Sequence, residues 1–389
     1  MSILGRYLLR QASLLVGGLI LLAICVLMLE RLLRILEVVS VSSRPATDAV
    51  RMLLNLLPHY LGLAIPMALM LGTIITVDRL SRSEEITAML ASGVKLSRIA
   101  RPFFLLATVT SALVILTEGY LQPHTRYGYR AAVHEAVQQT FTGAFREGKF
   151  VSVGDRTFWT RDEVGSTGGV AGVFIHEREE DGTVRIVTAP GGLLAVDRET
   201  RVPSLILAGG ASLEVGPDGR PDALADFGSL SFRGADEIEA FRDRGDDARE
   251  MTLDELAVLA ARGQDEMSRD ASAALHVRVV HAVMLFAFPL IAVPLGLSYG
   301  RSARSGGPVL GLILVVLTQK AIEAAAGVST GWPVWLVFVG FAGASGWLFW
   351  RSAYTDAPPP MESLPSLPAF RLPRLRHQAV VGPDATSAA

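Results

Sequence analysis

The sequence predicts a membrane-embedded α-helical protein of six spans in a 3 + 3 arrangement, with an all-β, jelly-roll-like domain inserted between the third and fourth. Three observations predict it. Residues 14–29, 60–77, 103–117, 279–297, 308–326 and 332–350 are rich in Leu, Val, Ile, Ala and Phe. With their flanks they reach the ~20 apolar residues that a helix needs to cross a ~30 Å hydrocarbon core. A long polar block with strand-like segments separates the third run from the fourth. The basic residues of the short loops also fall on one side of a six-span layout.

Composition agrees. The chain has 389 residues, half of them hydrophobic and 19% charged, with a net charge of −2. That balance excludes a bulk nucleic-acid binder. The single cysteine, Cys25, lies inside the first span and has no internal disulfide partner. Arg6 and Arg10 before the first run mimic a signal peptide, but the run ends in Glu30-Arg31 without a small-x-small cleavage site. Leu22-Ala23-Ile24-Cys25 mimics a lipoprotein box, yet bulky Ile24 stands where a small residue is needed. The first span is therefore read as an uncleaved anchor.

Orientation follows from loop Lys and Arg. Arg6 and Arg10, then Arg79, Arg82, Lys95, Arg98 and Arg101, then Arg301 and Arg304, and finally Arg351 all share one side, the cytoplasmic one. Arg44 and Arg51, in the segment 36–52, dissent. The chain thus divides into spans one to three (1–120), an outward block (121–275), spans four to six (276–351) and a Pro-rich cytoplasmic tail (352–389) that lacks apolar periodicity.

Within the outward block, Lys149–Val153, Thr157–Thr160, Val173–Ile175, Val184–Thr188, Leu193–Val196, Ser204–Leu207, Ser212–Val215 and Ser229–Phe232 are strand candidates. Turn signals at Gly154-Asp155, Asp181-Gly182, Gly209-Gly210 and Asp218-Gly219 separate them, the pattern of a sandwich or jelly roll. One flanking helix, His124–Phe141, extends span three. The other starts at Thr252, three residues before Glu255, a capping box.

Between spans two and three, Ser81 and Glu84 form a second such signature. Ile86, Met89 and Leu90 then share a helical face, and Gly93 supplies the stop. This predicts an amphipathic helix over 82–92 at the membrane surface. It is either a plain interfacial connector or a docking helix that fits a groove on a cytoplasmic partner with Glu84 or Glu85 as anchor. Gly143-Ala-Phe-Arg-Glu-Gly148-Lys149 matches most of a P-loop, but Phe150 replaces the magnesium-binding Ser or Thr, so nucleotide binding there is rejected. His276 and His281, at i,i+5, lie on different faces and do not make a zinc pair. Gly340, Gly343 and Gly346, with Ala342, make a small-residue face suited to helix packing.

On these residues the chain resembles the lipopolysaccharide-export permease family, the LptF/LptG type, over nearly its whole length. The resemblance is carried by Arg6-Tyr7-Leu8-Leu9-Arg10, by Pro58 and Ile65-Pro66 in span two, and above all by Leu80-Ser-Arg-Ser-Glu-Glu-Ile-Thr-Ala-Met-Leu-Ala-Ser-Gly93 with Pro102 beyond it. Leu275-His-Val-Arg278 and Pro294-Leu-Gly296 complete it. The family often carries an acid where this chain has Ala274, which leaves a salt bridge to Arg278 without its partner. The long tail also exceeds the usual end of the family's chains.

The resemblance implies a permease subunit of an ATP-driven exporter in the cell inner membrane, one of two sister permeases, F-type or G-type with the F-type preferred, with its β domain in the periplasm and both termini cytoplasmic. It would extract lipopolysaccharide from the outer leaflet and pass it to a periplasmic bridge protein with a jelly-roll fold and a single-helix anchor. Its partners would be a second homologous permease and a dimeric cytoplasmic ATPase. The chain itself would bind no cofactor, and ATP and magnesium would belong to that ATPase. Coupling would run through Glu84, Glu85, Ile86, Met89 and Leu90, with Glu85 the family's carboxylate.

Arg31 and Arg34, one turn apart and ~27–32 Å up the first helix, would meet lipid phosphate. The other reading is snorkelling, with Arg34 paired to Glu30. Lys320 and Glu323 inside span five either neutralise each other or line the lipid cavity or its lateral gate. In the family, spans one and five form the seams between the two permeases. Val151, Phe158 and Phe174 are inward strand positions that would shield acyl chains. The alternatives from other classes are a membrane-anchored sensor or scaffold with an extracellular β domain, and an ABC permease for another lipid or a lipoprotein.

Overall fold

The structure, a computed structural model, describes residues 3–39, 45–143, 148, 150–153, 156–161, 169–178, 182–196, 203–233, 244–263, 265–297, 306–327 and 331–354. The tail from 355 onward, Arg44, Arg301, Arg304, the Gly154-Asp155 turn and most of the P-loop look-alike lie outside the described residues. Six helical stretches are long and apolar enough to cross a membrane, and each covers all or nearly all of one of the six apolar runs. Helices α1 (Ile3–Val39) and α2 (Pro45–Arg82) come first, followed by the short α3 (Glu85–Ala91). The third span is α4 (Leu96–Leu116), a π turn (Thr117–Leu121) and the start of α5 (Gln122–Gly143), which continues it beyond the apolar run as expected.

Span four is two helices, α7 (Glu266–Met284) and α8 (Phe288–Gly296). The break falls where Pro289 removes the N–H that would bond to Leu285, and i→i−3 bonds from Phe286 and Ala287 bridge it instead. Helices α9 (Gly307–Ala326) and α10 (Val334–Tyr354) are the last two spans. Between α5 and α7 also lies α6 (Leu253–Ala260), which starts on the expected capping box. The Thr252 N–H reaches Glu255 Oε2 at 2.7 Å and holds that carboxyl below its usual range. The box is therefore complete at neutral pH and is lost as pH falls through the lowered value.

Helix α2 is the centre of the bundle. In its most apolar stretch 67% of residues are buried, against 11% in α1 and in α10. Glycines let three neighbours approach it. A Cβ on Gly72 would lie 2.4 Å from Val16 of α1. One on Gly296 of α8 would lie 2.7 Å from the Ile74 carbonyl, and one on Gly311 of α9 would lie 2.3 Å from Ile74 Cδ1. Ile74 itself is fully buried. Small residues at such crossings give the close van der Waals packing that holds helices together in lipid. A Cβ on Gly340, Gly343 or Gly346 of α10, expected to serve packing too, would meet no other element within 4 Å.

The inserted domain is one six-stranded antiparallel sheet: β1 (Val151–Val153), β2 (Arg156–Thr160), β3 (Gly169–Arg178), β4 (Val184–Val196), β5 (Pro203–Val215) and β6 (Pro221–Arg233). Neighbours follow chain order, so among the described strands it is a meander without crossovers. The eight short candidates merge into six strands because β4 runs on through residues 189–192 and Gly209-Gly210 lies inside β5 instead of making a turn. Gly209 takes φ +63, and pairing lapses between Thr188↔Ala211 and Gly191↔Ala208 without a change of register, leaving Ala189-Pro190 opposite the two glycines. The Asp218-Gly219 turn forms as expected, with Gly219 at φ +77 and Gly216 N–H bonded to the Arg220 carbonyl at 2.9 Å.

One face of the sheet is apolar: Phe158, Ile175 and Val187 lie in one cross-strand row, with Val173, Leu205 and Leu207 beside it, all buried. The next row is a charge ladder, Arg156–Glu177–Arg185–Glu214, with successive separations of 2.6, 4.0 and 3.0 Å.

Gly307→Ala places a methyl 2.6 Å from the Leu295 carbonyl, a backbone atom that cannot swing aside. It should lower the melting temperature of the purified protein, at a cost of about 1–3 kcal/mol for overpacking. Gly340→Ala meets open space and should leave melting unchanged or slightly raised.

Candidate functional site

The segment between spans two and three is built differently from the pattern in its sequence. The apolar run of α2 keeps Leu80 and Ser81 buried in the bundle, so α2 continues to Arg82, whose guanidinium pairs with Asp78 at 2.9 Å. The Ser81/Glu84 capping box therefore does not form. Glu84 instead takes the left-handed conformation at φ 62 and makes the corner into α3, which starts at Glu85 rather than at 82. The C-terminal stop is as expected. Gly93 (φ +84) closes a Schellman motif, its N–H on the Leu90 carbonyl and that of Val94 on the Met89 carbonyl.

The apolar face of α3 is turned to the chain's own core. Ile86 is fully buried, and Met89 and Leu90 pack against the same cluster. These three hold α3 on the bundle. Glu84, Thr87 and Ala88 face outward. Glu85 is half-buried, and both of its oxygens are engaged: Tyr7 Oη of α1 donates to Oε2 at 3.1 Å, and Ser83 Oγ donates to Oε1 at 3.1 Å.

At the opposite end of the bundle lies a cavity of about 870 Å³ among α2, the π turn, α5, α7, α9 and the loop before α6. Its charged lining includes Glu118, Arg126, Asp247, Arg278, His281 and Glu323. The π turn inserts one residue into the helical ladder and re-aims Glu118. Gly62 admits the carboxylate, since a Cβ there would lie 2.8 Å from Glu118 Oε1. Glu118 Oε2 meets His281 Nδ1 at 3.1 Å. Arg278 finds no acid at Ala274 and donates instead to three carbonyls, of Met251 (2.6 Å), Arg249 (3.2 Å) and Ala248 (3.4 Å). With Arg130–Glu250 at 2.9 Å, this pins the loop to the helices. His276 accepts from Trp335 Nε1 at 3.2 Å, tying α7 to α10. Among the described residues no group of three His, Cys, Asp or Glu is placed to hold a metal.

Arg34 pairs with Glu30 at 3.5 Å, and both side chains are 66% exposed. Arg31, on the same face, is half-buried, and its Nε is buried without a hydrogen-bond partner. Lys320 and Glu323 form an exposed ion pair at 2.6 Å, and Glu323 reaches the cavity wall. Helices α1 and α9 both pack on α2. In the sheet, Val151 pairs with Phe158 and packs on the apolar face. Phe174 does not share that face. It neighbours Ile175 in sequence and pairs with Trp159, so the two-residue period sends it to the other side, edge-on to Phe150.

Sequence reasoning missed the cavity. Its signal was Glu118, an acid at the end of an apolar run, where an ionisable group marks a polar interior.

A family model described as lipopolysaccharide export system permease LptF/LptG matches residues 6–351. No curated protein matches the chain.

Arg278→Ala should release the 247–251 loop. Limited proteolysis should cut there faster, and the purified protein should lose about 2–4 kcal/mol of stability, the scale of one or two charged hydrogen bonds.

Proposed function

We propose, for a chain that belongs to the lipopolysaccharide export system permease LptF/LptG family, that it is one of two paired permeases driven by a cytoplasmic ATPase. The family is one of transport subunits that work with other components of the export system in the inner membrane. The finer reading places α3 on the cytoplasmic side, the sheet in the periplasm and both termini in the cytoplasm. A dimeric ATPase, which holds the ATP and magnesium, would press on α3 from below. A second, homologous permease would pack along α1 and α9, whose outward faces are apolar.

The observation that carries this reading is the arrangement of the family stretch Leu80–Gly93. It folds as a short helix clamped to one end of the bundle, while the charged cavity lies at the other. Closure of the ATPase would move α3 and, through the packed core of α2, narrow the space between the permeases. Arg31 and Arg34 would meet the lipid phosphates at the outer boundary, and Lys320 and Glu323 would sit on the gate helix α9. The apolar face of the sheet, with Val151 and Phe158, would shield acyl chains on the way to a jelly-roll bridge protein with a single-helix anchor. Phe174, on the other face, is outside that path.

In proteoliposomes containing both permeases and the ATPase, Glu85→Ala should cut ATP-driven lipopolysaccharide release at least about tenfold, as expected for loss of a charged contact. Unchanged release would remove α3 from the coupling path. Arg31→Ala with Arg34→Ala should weaken lipid photo-crosslinking about three- to tenfold. Equal labelling of cysteines placed at Gly93 and Gly182 from one side of the membrane would overturn the topology.

A further inference from the structure

Helix α1 is the longest uninterrupted rod among the spans that lacks proline. It runs as one α-helix from Ile3 to Val39, and its Gly17-Gly18 pair sits within continuous helix. By contrast, α2 carries Pro58 and Pro66, and span four is broken after Met284. From Tyr7 to Arg31 the rod covers about 36 Å at 1.5 Å per residue.

Its grip on the bundle is narrow. Leu8, Ala12 and Val16, spaced i, i+4 and i+8, are buried, and Val16 is the residue that fits against Gly72 of α2. Above them Leu21, Leu22, Val26, Leu29 and Leu33 face outward, and Ile35 is the next buried anchor. Tyr7 adjoins the lower stripe and is 41% exposed, and its hydroxyl is spent on Glu85 Oε2. The carboxylate has about four acceptor sites. Two donors therefore fix its rotamer and leave room for a cation arriving from outside.

We propose that Tyr7 is a positioning residue for the transport cycle. Its hydroxyl links Glu85 of α3 to the foot of α1, so that displacement of α3 tilts the α1 rod and moves Arg31 and Arg34 at its far end. This rests on the coupling role given to α3 above. The Tyr7–Glu85 bond is a polar tie between the two elements. Ser83, the other donor on Glu85, holds the same carboxylate from the corner between α2 and α3.

The test uses the complete complex in nanodiscs, in a Cys25→Ser background, with an environment-sensitive label at Leu33→Cys on α1 or Val109→Cys on α4. In the parent complex, nucleotide should change the signal at both positions. Tyr7→Phe keeps the ring and the fold. It should leave assembly and ATP turnover within about twofold, and abolish the change at Leu33→Cys while retaining it at Val109→Cys. It should also lower lipid released per ATP about three- to tenfold, the range of one hydrogen bond. Ser83→Ala should keep the Leu33→Cys response.

A Tyr7→Phe complex that retains the α1 response and the release ratio overturns the proposal. So does a Ser83→Ala complex that loses them equally, because Tyr7 would then only fix a rotamer. If the parent complex shows no nucleotide response at either label, the coupling role of α3 fails, and the Tyr7 link falls with it.

Discussion

The constraint on which the bundle depends is the distance at which other helices can pass α2. Lipid tails are as apolar as leucine, so burying apolar surface gives little drive for helices to associate inside a bilayer, and close contact has to supply it. Here glycines on α2, α8 and α9 supply it around Ile74 and Val77, where side chains and carbonyls fill the space a Cβ would need. The outcome is an uneven bundle. The span-four helices α7 and α8 are, like α2, largely enclosed, at 72% of the apolar stretch, whereas α1, α9 and α10 keep most of their apolar surface outward. The bundle thus has a close-packed interior and, at its margin, helices whose apolar faces point outward.

The polar features follow from the same centre. The cavity opens where the close-packed region gives way to the helix ends far from α3, and two of its charged groups are held within the fold. Glu118 is held by His281, and Arg278 is spent on backbone carbonyls. A buried carboxylate–imidazole pair gains from the low dielectric only while both partners stay in place. The π turn and Gly62 keep them there. Glu323 on α9 completes a wall of this cavity, so a motion of α9 would change the cavity's shape.

Much of this was legible in the sequence, for identifiable reasons. Span number and placement follow from hydropathy, because a bilayer imposes a length. The Thr252–Glu255 box and the Gly93 stop follow from local backbone chemistry, which needs no tertiary partner. The failures share a cause in tertiary context. Ser81 and Glu84 have the right spacing for a cap, but the core holds Ser81 inside α2. Gly209-Gly210 reads as a turn, yet Phe227 and the Thr188 carbonyl close over Gly210 and the strand runs on. Phe174 was placed with Phe158, although pairing, invisible in one sequence, sets the faces. Arg278 lacked an acid at Ala274, and its carbonyl partners lie 27 to 30 residues away along the chain.

The order of the strands bears on how the molecule is made. Each strand pairs with the one synthesised just before it, and no pairing in the sheet waits for a residue beyond Arg233. Contacts of low sequence separation close quickly. The sheet can therefore assemble while the residues of α7 to α10 are still being translated. The first half of the bundle then waits for its second half with the inserted domain already folded between them.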